Sequence, residues 1–336
     1  MKVAIFPRLL TKDNPYGNPY IQDFVKALEL YGITVSNPPH KNPLLSILPI
    51  KTTCDAYIFH WIEDIPSTKY GSLQTFTALG LILWAKSKKR KIAWFLHNKR
   101  PHDTGHERTK NFVAHFMMKH ADLIITHAQE GIEVIRNQYP PALTRTIFLH
   151  HPTKNRINNH NIPFTIENDL LIWGTITRYK GITELVLFAV QHHWNLRIKI
   201  IGRCVSKELQ KELEQTIKGH PHITFESHSI PFEELETEIR KARFVLVPYA
   251  PETILSSGIL MDSLSFGAQV IGPNVGSFKD YAQEPLINVF TFNSFSDIPS
   301  IVNKANKPLD INNYKEFLNN HDWNAFGKNF SQLIQQ

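Results

Sequence analysis

The sequence predicts an α/β protein built from two doubly wound, Rossmann-like domains facing a central cleft. Three observations carry that prediction. The 336 residues exceed one ordinary domain, for which roughly 150 residues is the usual length. Short apolar runs alternate with amphipathic stretches, the order that gives parallel strands with helices on both faces of the sheet. One polar, Pro- and Asn-rich segment, PTKNRINNHNIPFTIEN from Pro152 to Asn168, breaks the alternation and reads as a linker. The expected boundaries are therefore 1–152 for a first domain and 165–317 for a second. A carboxyl-terminal helix at about 318–336 is expected to pack back on the first domain.

The elements follow in chain order. KVAIF is a strand, then a helix runs from about Tyr20 to Tyr31, and ITVS is a second strand. AYIFHW precedes a helix at Gly71 to Ser87 and the strand KIAWFLHN. A helix from about Gly105 to Lys119 leads to DLIITH, a short helix near Glu130, and TIFLHH. Beyond the linker the pattern restarts: LLIWG, a helix from Gly181, RIKIIG, a helix from Ser206, ITFES, a helix from Phe232, FVLVPY, a helix from Gly258, and AQVIG. No short fixed period links the two halves, which excludes a solenoid.

A hydrophobic fraction of 42% with 20% charged residues is the balance of a soluble globular chain with a real core. The longest apolar run, Ala78 to Ala85, is too short to span a bilayer. Pro7 and Arg8 cut the first apolar run, so it reads as a buried strand and not as a secretory signal. Cys54 and Cys204 are far apart and in no metal-type spacing, which fits a reducing cytoplasm. The net charge of +7 is uneven: up to Lys154 there are 20 Lys+Arg against 11 Asp+Glu, and beyond it 17 against 19. Lys86, Lys88, Lys89, Arg90 and Lys91 form one basic cluster, suited to an anionic surface or to a solvated helix end.

Ligands of open parallel sheets bind outside the carboxyl ends of the strands, so residues there carry the most weight. In LLIWGTITRYKG, Gly174 ends the strand, Arg178 and Lys180 sit in the loop, and Gly181 opens a helix. Cations beside a helix start make an anion site. In FVLVPYAPETILSSGILMDSLSFG, a strand is followed by a loop and then by Ser256, Ser257 and Gly258 at a second helix start. Serine caps such an end and glycine lets a ligand approach the backbone. Two anion sites at neighbouring strand ends point to a diphosphate. Neither loop has the spacing of a dinucleotide fingerprint or a P-loop.

These segments, from Leu170 to Phe278, resemble the carboxyl-terminal half of GT-B fold glycosyltransferases of the group 1, family 4-like type, and the SSG version resembles the subgroup that makes bacterial exopolysaccharide or capsule. The resemblance implies transfer of a sugar from a UDP-, GDP- or similar nucleotide sugar to a saccharide or lipid-linked acceptor, with no other cofactor. It implies that Gly174, Arg178, Lys180, Ser256, Ser257 and Gly258 hold the donor. The group's two glutamates are eight positions apart; here Asp262 stands at the later position, Ile254 at the earlier, and Glu252 lies near. A sugar-nucleotide epimerase of the same architecture, and a non-enzymatic polysaccharide- or polyanion-binding protein, are the alternatives.

In the first domain His60 and His97 each end an apolar strand and are expected at the cleft edge, His97 in a catalytic role. Asn14, Tyr16, Gly17, His60 and Asn98 are the expected acceptor contacts. Were a general base required, Asp13, Glu63, His97 and Asp103 are candidates. No metal is expected: His102 and His106 have Gly105 between them, and no Asp-x-Asp or H-E-x-x-H occurs. Lipid-linked acceptors would give the Lys86–Lys91 cluster a place on the inner face of the membrane. Nucleic acid is not an expected partner.

Overall fold

Every apolar run named above as a strand lies in one of two parallel six-stranded sheets. The computed structural model describes residues 1–10, 19–49, 53–99, 106–157, 165–252, 254–305 and 309–336. They divide into two units, Met1–Pro152 with His321–Gln336, and Thr153–Asn320.

The first unit runs β1 (Lys2–Phe6), α1 (Tyr20–Leu30), β2 (Thr34–Val35), α2 (Pro43–Ser46), β3 (Ala56–His60), α3 (Gly71–Ser87), β4 (Lys91–Leu96), α4 (Glu107–His120), β5 (Leu123–Thr126), α5 (Gln129–Gln138) and β6 (Thr146–Phe148). Its sheet order is β2-β1-β3-β4-β5-β6, with every neighbouring pair parallel. Helices cover both faces of such a sheet, so its strands read as continuous apolar runs; all five residues of β3 are buried. In α3 the inner face, Ala78, Leu81, Ile82 and Ala85, is buried, yet Leu73 and Phe76 on the outer face are 67% and 78% exposed. That helix is apolar on both sides.

The second unit runs β7 (Asn168–Trp173), α6 (Ile182–Gln191), β8 (Ile198–Ile201), α7 (Lys207–Ile217), β9 (Ile223–Glu226), α8 (Phe232–Arg240), β10 (Ala242–Leu246), α9 (Gly258–Ser265), β11 (Val270–Pro273), α10 (Gly276–Tyr281), β12 (Val289–Phe292), α11 (Ile298–Lys304) and α12 (Ile311–Asn320). The sheet order is β12-β11-β10-β7-β8-β9. Strand order therefore reverses between β7 and β10, the switch point at which such sheets bind ligands.

Four elements have no counterpart in the sequence reading: α2, β12, α10 and α11. Each is short, and β12 has only four residues following the turn-rich QEPLIN. The tail is two helices, α12 in the second unit and α13 (Trp323–Gln335) in the first. Asp322 divides them, because its carboxylate caps α13 by accepting from Ala325 N at 2.7 Å. Phe326 and Phe330 of α13 pack on Phe24 of α1, with ring centroids 5.9 and 5.4 Å apart. Burying each such ring contributes roughly 1.5–3 kcal/mol.

Candidate functional site

At the switch point of the second unit three segments converge. Gly174 follows β7 with φ +97, a backbone conformation open to glycine. A Cβ there would lie 3.0 Å from Ile259 Cδ1 in the first turn of α9 and 3.9 Å from Lys180 Nζ. The Lys180 side chain is buried, and its ammonium donates to Thr175 O at 2.6 Å. Burial pushes its pKa down to about 8, so an anion at this place would restore a charge that desolvation disfavours. Gly181 has φ +66, and a Cβ on it would meet Pro248 O at 2.3 Å. This glycine lets the loop after β7 lie against the loop after β10.

α9 begins where the sequence places it. Ser257 is its N-cap, and its hydroxyl accepts from Leu260 N at 3.2 Å. Capping occupies that hydroxyl; the side that faces a ligand is backbone. Around Gly258 a Cβ would meet nothing within 4 Å, so there is open space beside the first residue of the helix. Trp173 ties β7 to the same helix by donating its indole N–H to Ser263 Oγ at 2.9 Å.

The other expected donor residues are placed differently. Arg178 is 63% exposed and pairs with Glu212 of α7, Nη2 to Oε2 at 2.7 Å, so it does not stand as a second open cation beside Lys180. It does line a cavity of about 430 Å³ with Tyr179, Tyr249, Phe292 and Asn293, on whose wall neither Lys180 nor the start of α9 appears. The Asn293 side of that cavity follows β12, which the sequence reading missed. Asp262 is held by Arg156, Nη1 to Oδ1 at 3.3 Å, and Arg156 also lies 4.5 Å from the Phe232 ring. Glu252 is exposed in the loop before α9.

The first unit's sheet edge has a different chemistry. Successive strands end in or next to a histidine: His60 on β3, His97 after β4, His127 after β5 and His151 after β6. All four are buried. That differs from the expectation for His60 and His97, which were to project at the edge. The rings form an arc with neighbouring centroids 5.3, 5.7 and 5.0 Å apart, and Tyr20 of α1 touches all four at 5.2–6.0 Å. His127 Nδ1–H donates to Leu149 O at 2.8 Å, so its Nε2 accepts from the Tyr20 hydroxyl at 2.7 Å. His60 Nδ1 and His97 Nε2 share a hydrogen bond of 3.0 Å, and His97 stacks on Trp61 at 4.2 Å. Burial pushes His60 down to about 3 and His151 to about 4, and drives His97 and His127 in the same direction. They are neutral imidazoles at pH 7. A histidine repeated at four strand ends is legible in the sequence once the strands are drawn; the sequence reading placed only His60 and His97 at strand ends.

Glu63 follows β3 and is buried, and Asn98 follows β4. Both line a cavity of about 560 Å³ within this unit. Burial first, then the neighbouring Asp64, pushes the Glu63 carboxyl up to about 8. Asn14, Tyr16, Gly17, Asp13, His102 and Asp103 lie outside the described residues. Among the described residues no three His, Cys, Asp or Glu side chains converge on a metal position.

The basic cluster is largely occupied by the protein itself. Lys86 binds Asp122 Oδ1 at 2.7 Å and His120 O at 2.9 Å. Arg90 pairs with Asp55 at 3.6 Å and donates to Cys54 O, and Lys91 reaches Ile334 O at 3.1 Å. Lys88 and Lys89 are exposed. No helix among the described residues is long and apolar enough to cross a membrane.

No family model matches the chain, and no curated protein matches it. Solved structures do. Anabaena HepE in complex with UDP and glucose aligns over 100% of this chain and 99% of its own, at 13% identity with a TM-score of 0.65. The catalytic domain of starch synthase IV from Arabidopsis thaliana, bound to ADP and acarbose, aligns over 99% and 98%, at 11% identity and a TM-score of 0.64. AviGT4, a glycosyltransferase of avilamycin A biosynthesis, covers 100% and 97% at 13% identity and a TM-score of 0.62. At these identities the likeness shows the fold: the chain has the two-domain α/β architecture of GT-B glycosyltransferases.

Proposed function

We propose that this protein is a glycosyltransferase that takes a sugar from a nucleoside-diphosphate sugar and passes it to a saccharide or lipid-linked saccharide in surface polysaccharide synthesis. The observation that carries the reading is the meeting of Gly174, the Lys180 ammonium and the first turn of α9 at the β7/β10 switch point. Negative charge builds on the leaving diphosphate as the bond to the anomeric carbon breaks. A desolvated ammonium and helix N–H groups, already in place, stabilise that charge more in the transition state than before it. In this account charge compensation comes from the chain itself and no metal ion takes part. The bound UDP of HepE and ADP of starch synthase IV support a nucleotide as a ligand of this fold.

In the first unit, Asn98 and His97 are the proposed acceptor-side groups, His97 acting as a neutral hydrogen-bonding ring backed by His60. A lipid-linked acceptor gives α3 a role. Its exposed Leu73, Phe76, Leu83 and Trp84, next to Lys88 and Lys89, make an apolar face with a basic end, which lies down on an anionic bilayer. Binding to phosphatidylglycerol vesicles should fall sharply in Phe76→Ser with Trp84→Ser; undiminished binding refutes the membrane role. Titration calorimetry of the full chain with UDP, GDP and ADP tests the enzyme reading itself, which fails if none of the three binds.

A further inference from the structure

One side chain in the loop after β10 touches both halves of the candidate donor site. The Lys180 ammonium lies over the Tyr249 ring, 5.8 Å from its centroid, within reach of a cation–π attraction. The Tyr249 hydroxyl bonds the side chain of Ser257, the residue that caps α9 by accepting from Leu260 N. The backbone beneath it is held as well. Pro248 O occupies the place that a Cβ on Gly181 would take, so the residue before Tyr249 packs on the residue after Lys180. The ammonium and the first turn of α9 meet again at Gly174, where a Cβ would stand 3.9 Å from Lys180 Nζ and 3.0 Å from Ile259 Cδ1.

An ammonium has three N–H donors, and Thr175 O takes one of those of Lys180. A carboxylate as the next partner would neutralise the cation and repel a diphosphate, as Glu212 does for Arg178 in the same loop. An aromatic face favours the charge, accepts no further N–H in a fixed direction and repels no anion. We propose that Tyr249 is a positioning residue of the donor site: its ring steadies the Lys180 ammonium and its hydroxyl fixes the Ser257 cap, so that one side chain sets where cation and helix start stand for an incoming diphosphate. The assignment rests on the transferase reading for its use and adds to it a residue that reading does not employ.

The two contacts titrate differently. Desolvation depresses the Lys180 pKa to about 8, and the ring acts against that shift because it favours the charged form. Tyr249 itself stays protonated throughout, since burial, and then Tyr179, push its phenol well above the ordinary value. Arg178 goes to Glu212 of α7, Glu184 in the first turn of α6 bears on Arg178, and Glu252 is exposed. None of these is a cause of the Lys180 shift.

The full chain, ¹³C-labelled at the lysine ε-carbons, is titrated by NMR from pH 6.5 to pH 10.5, with Lys180 assigned by Lys180→Met. Its affinity for whichever of UDP, GDP and ADP the parent binds is measured by calorimetry at pH 7 and pH 9. Tyr249→Leu keeps bulk and loses the π face, so the Lys180 midpoint should move down by about half to one pH unit. Tyr249→Phe keeps the π face and loses the hydroxyl, so the midpoint should stay while nucleotide binding weakens about three- to tenfold. The two variants should then agree within about twofold at pH 7. At pH 9, where more of the lysine is neutral in Tyr249→Leu, that variant should bind a further three- to tenfold or so more weakly. An unchanged resonance of Lys199, held between Glu226 and Glu238 of the same unit, shows that each variant is folded.

An unmoved Lys180 midpoint in Tyr249→Leu overturns the proposal, as does parent-like nucleotide binding by Tyr249→Phe. So does an equal loss in both variants at both pH values, the mark of packing alone. The lysine titration needs no nucleotide, which keeps the two readings apart. A moved midpoint in a parent that binds none of the three nucleotides sinks the transferase reading and leaves the Tyr249–Lys180 pair standing. Nucleotide binding with an unmoved midpoint sinks this inference alone.

Discussion

The two parallel sheets present opposite chemistries at equivalent places. The carboxyl edge of the second unit carries glycine-opened backbone, an ammonium with a depressed pKa, and the serine-capped start of α9. The carboxyl edge of the first carries four buried neutral imidazoles gathered around one tyrosine ring, whose hydroxyl bonds His127. One edge holds back donors for an incoming anion. The other has spent most of its donors internally and excludes water. Doubly wound topology selects where chemistry is done, and the residue types at the strand ends select which sign of charge it serves.

The largest test of that contrast is acid stability. The histidines bind no proton in the folded state at neutral pH, while the unfolded chain binds one on each ring below about pH 6.5. Stability is therefore complete above pH 6.5 and is lost as pH falls toward the folded values of about 4 for His151 and about 3 for His60. At pH 5 each of these two rings costs about 2 kcal/mol, as an upper estimate. Urea unfolding at pH 7 and pH 5, followed by Trp fluorescence, should show a loss of several kcal/mol that His60→Gln with His151→Gln reduces. Equal midpoints at the two pH values would mean the arc is not the dry, neutral assembly described.

All the strands but β12 were legible because parallel strands buried on both faces leave unbroken apolar runs such as AYIFH and LLIW. The start of α9 was legible for a local reason, the serine cap and glycine of SSG. Side-chain partners were not. Nothing in the sequence tells that Glu212, 34 residues on, takes Arg178, or that Arg156 takes Asp262, since these pairings depend on tertiary placement. The burial of His60 was missed for a related reason. A histidine at a strand end reads as exposed until α1 and α13, from opposite ends of the chain, lay Tyr20, Phe24, Trp323 and Phe326 against that edge. The cavity over Glu63 needs α4 and α5 in place before it exists at all.

Smaller effects separate the two cations of the second unit. Lys180→Met should weaken UDP binding about 10–100-fold, the measure of a charged hydrogen bond to phosphate. In the parent, affinity should also fall about tenfold between pH 7 and pH 9, because above its folded pKa of about 8 the free lysine is neutral and must recover a proton to meet the diphosphate. Lys180→Met should lose that dependence. Arg178→Gln should change affinity by no more than about threefold, since its guanidinium is solvated and already shared with Glu212. If instead Arg178→Gln matches Lys180→Met, the diphosphate sits on the outer side of the loop, toward the Tyr179 and Asn293 cavity, and the contrast between a buried donor edge and a solvent-facing one has to be redrawn around Arg178. Glu212→Gln makes that distinction sharper still: it frees Arg178 without touching Lys180, so a gain in affinity appears only if the guanidinium lies within reach of the phosphates.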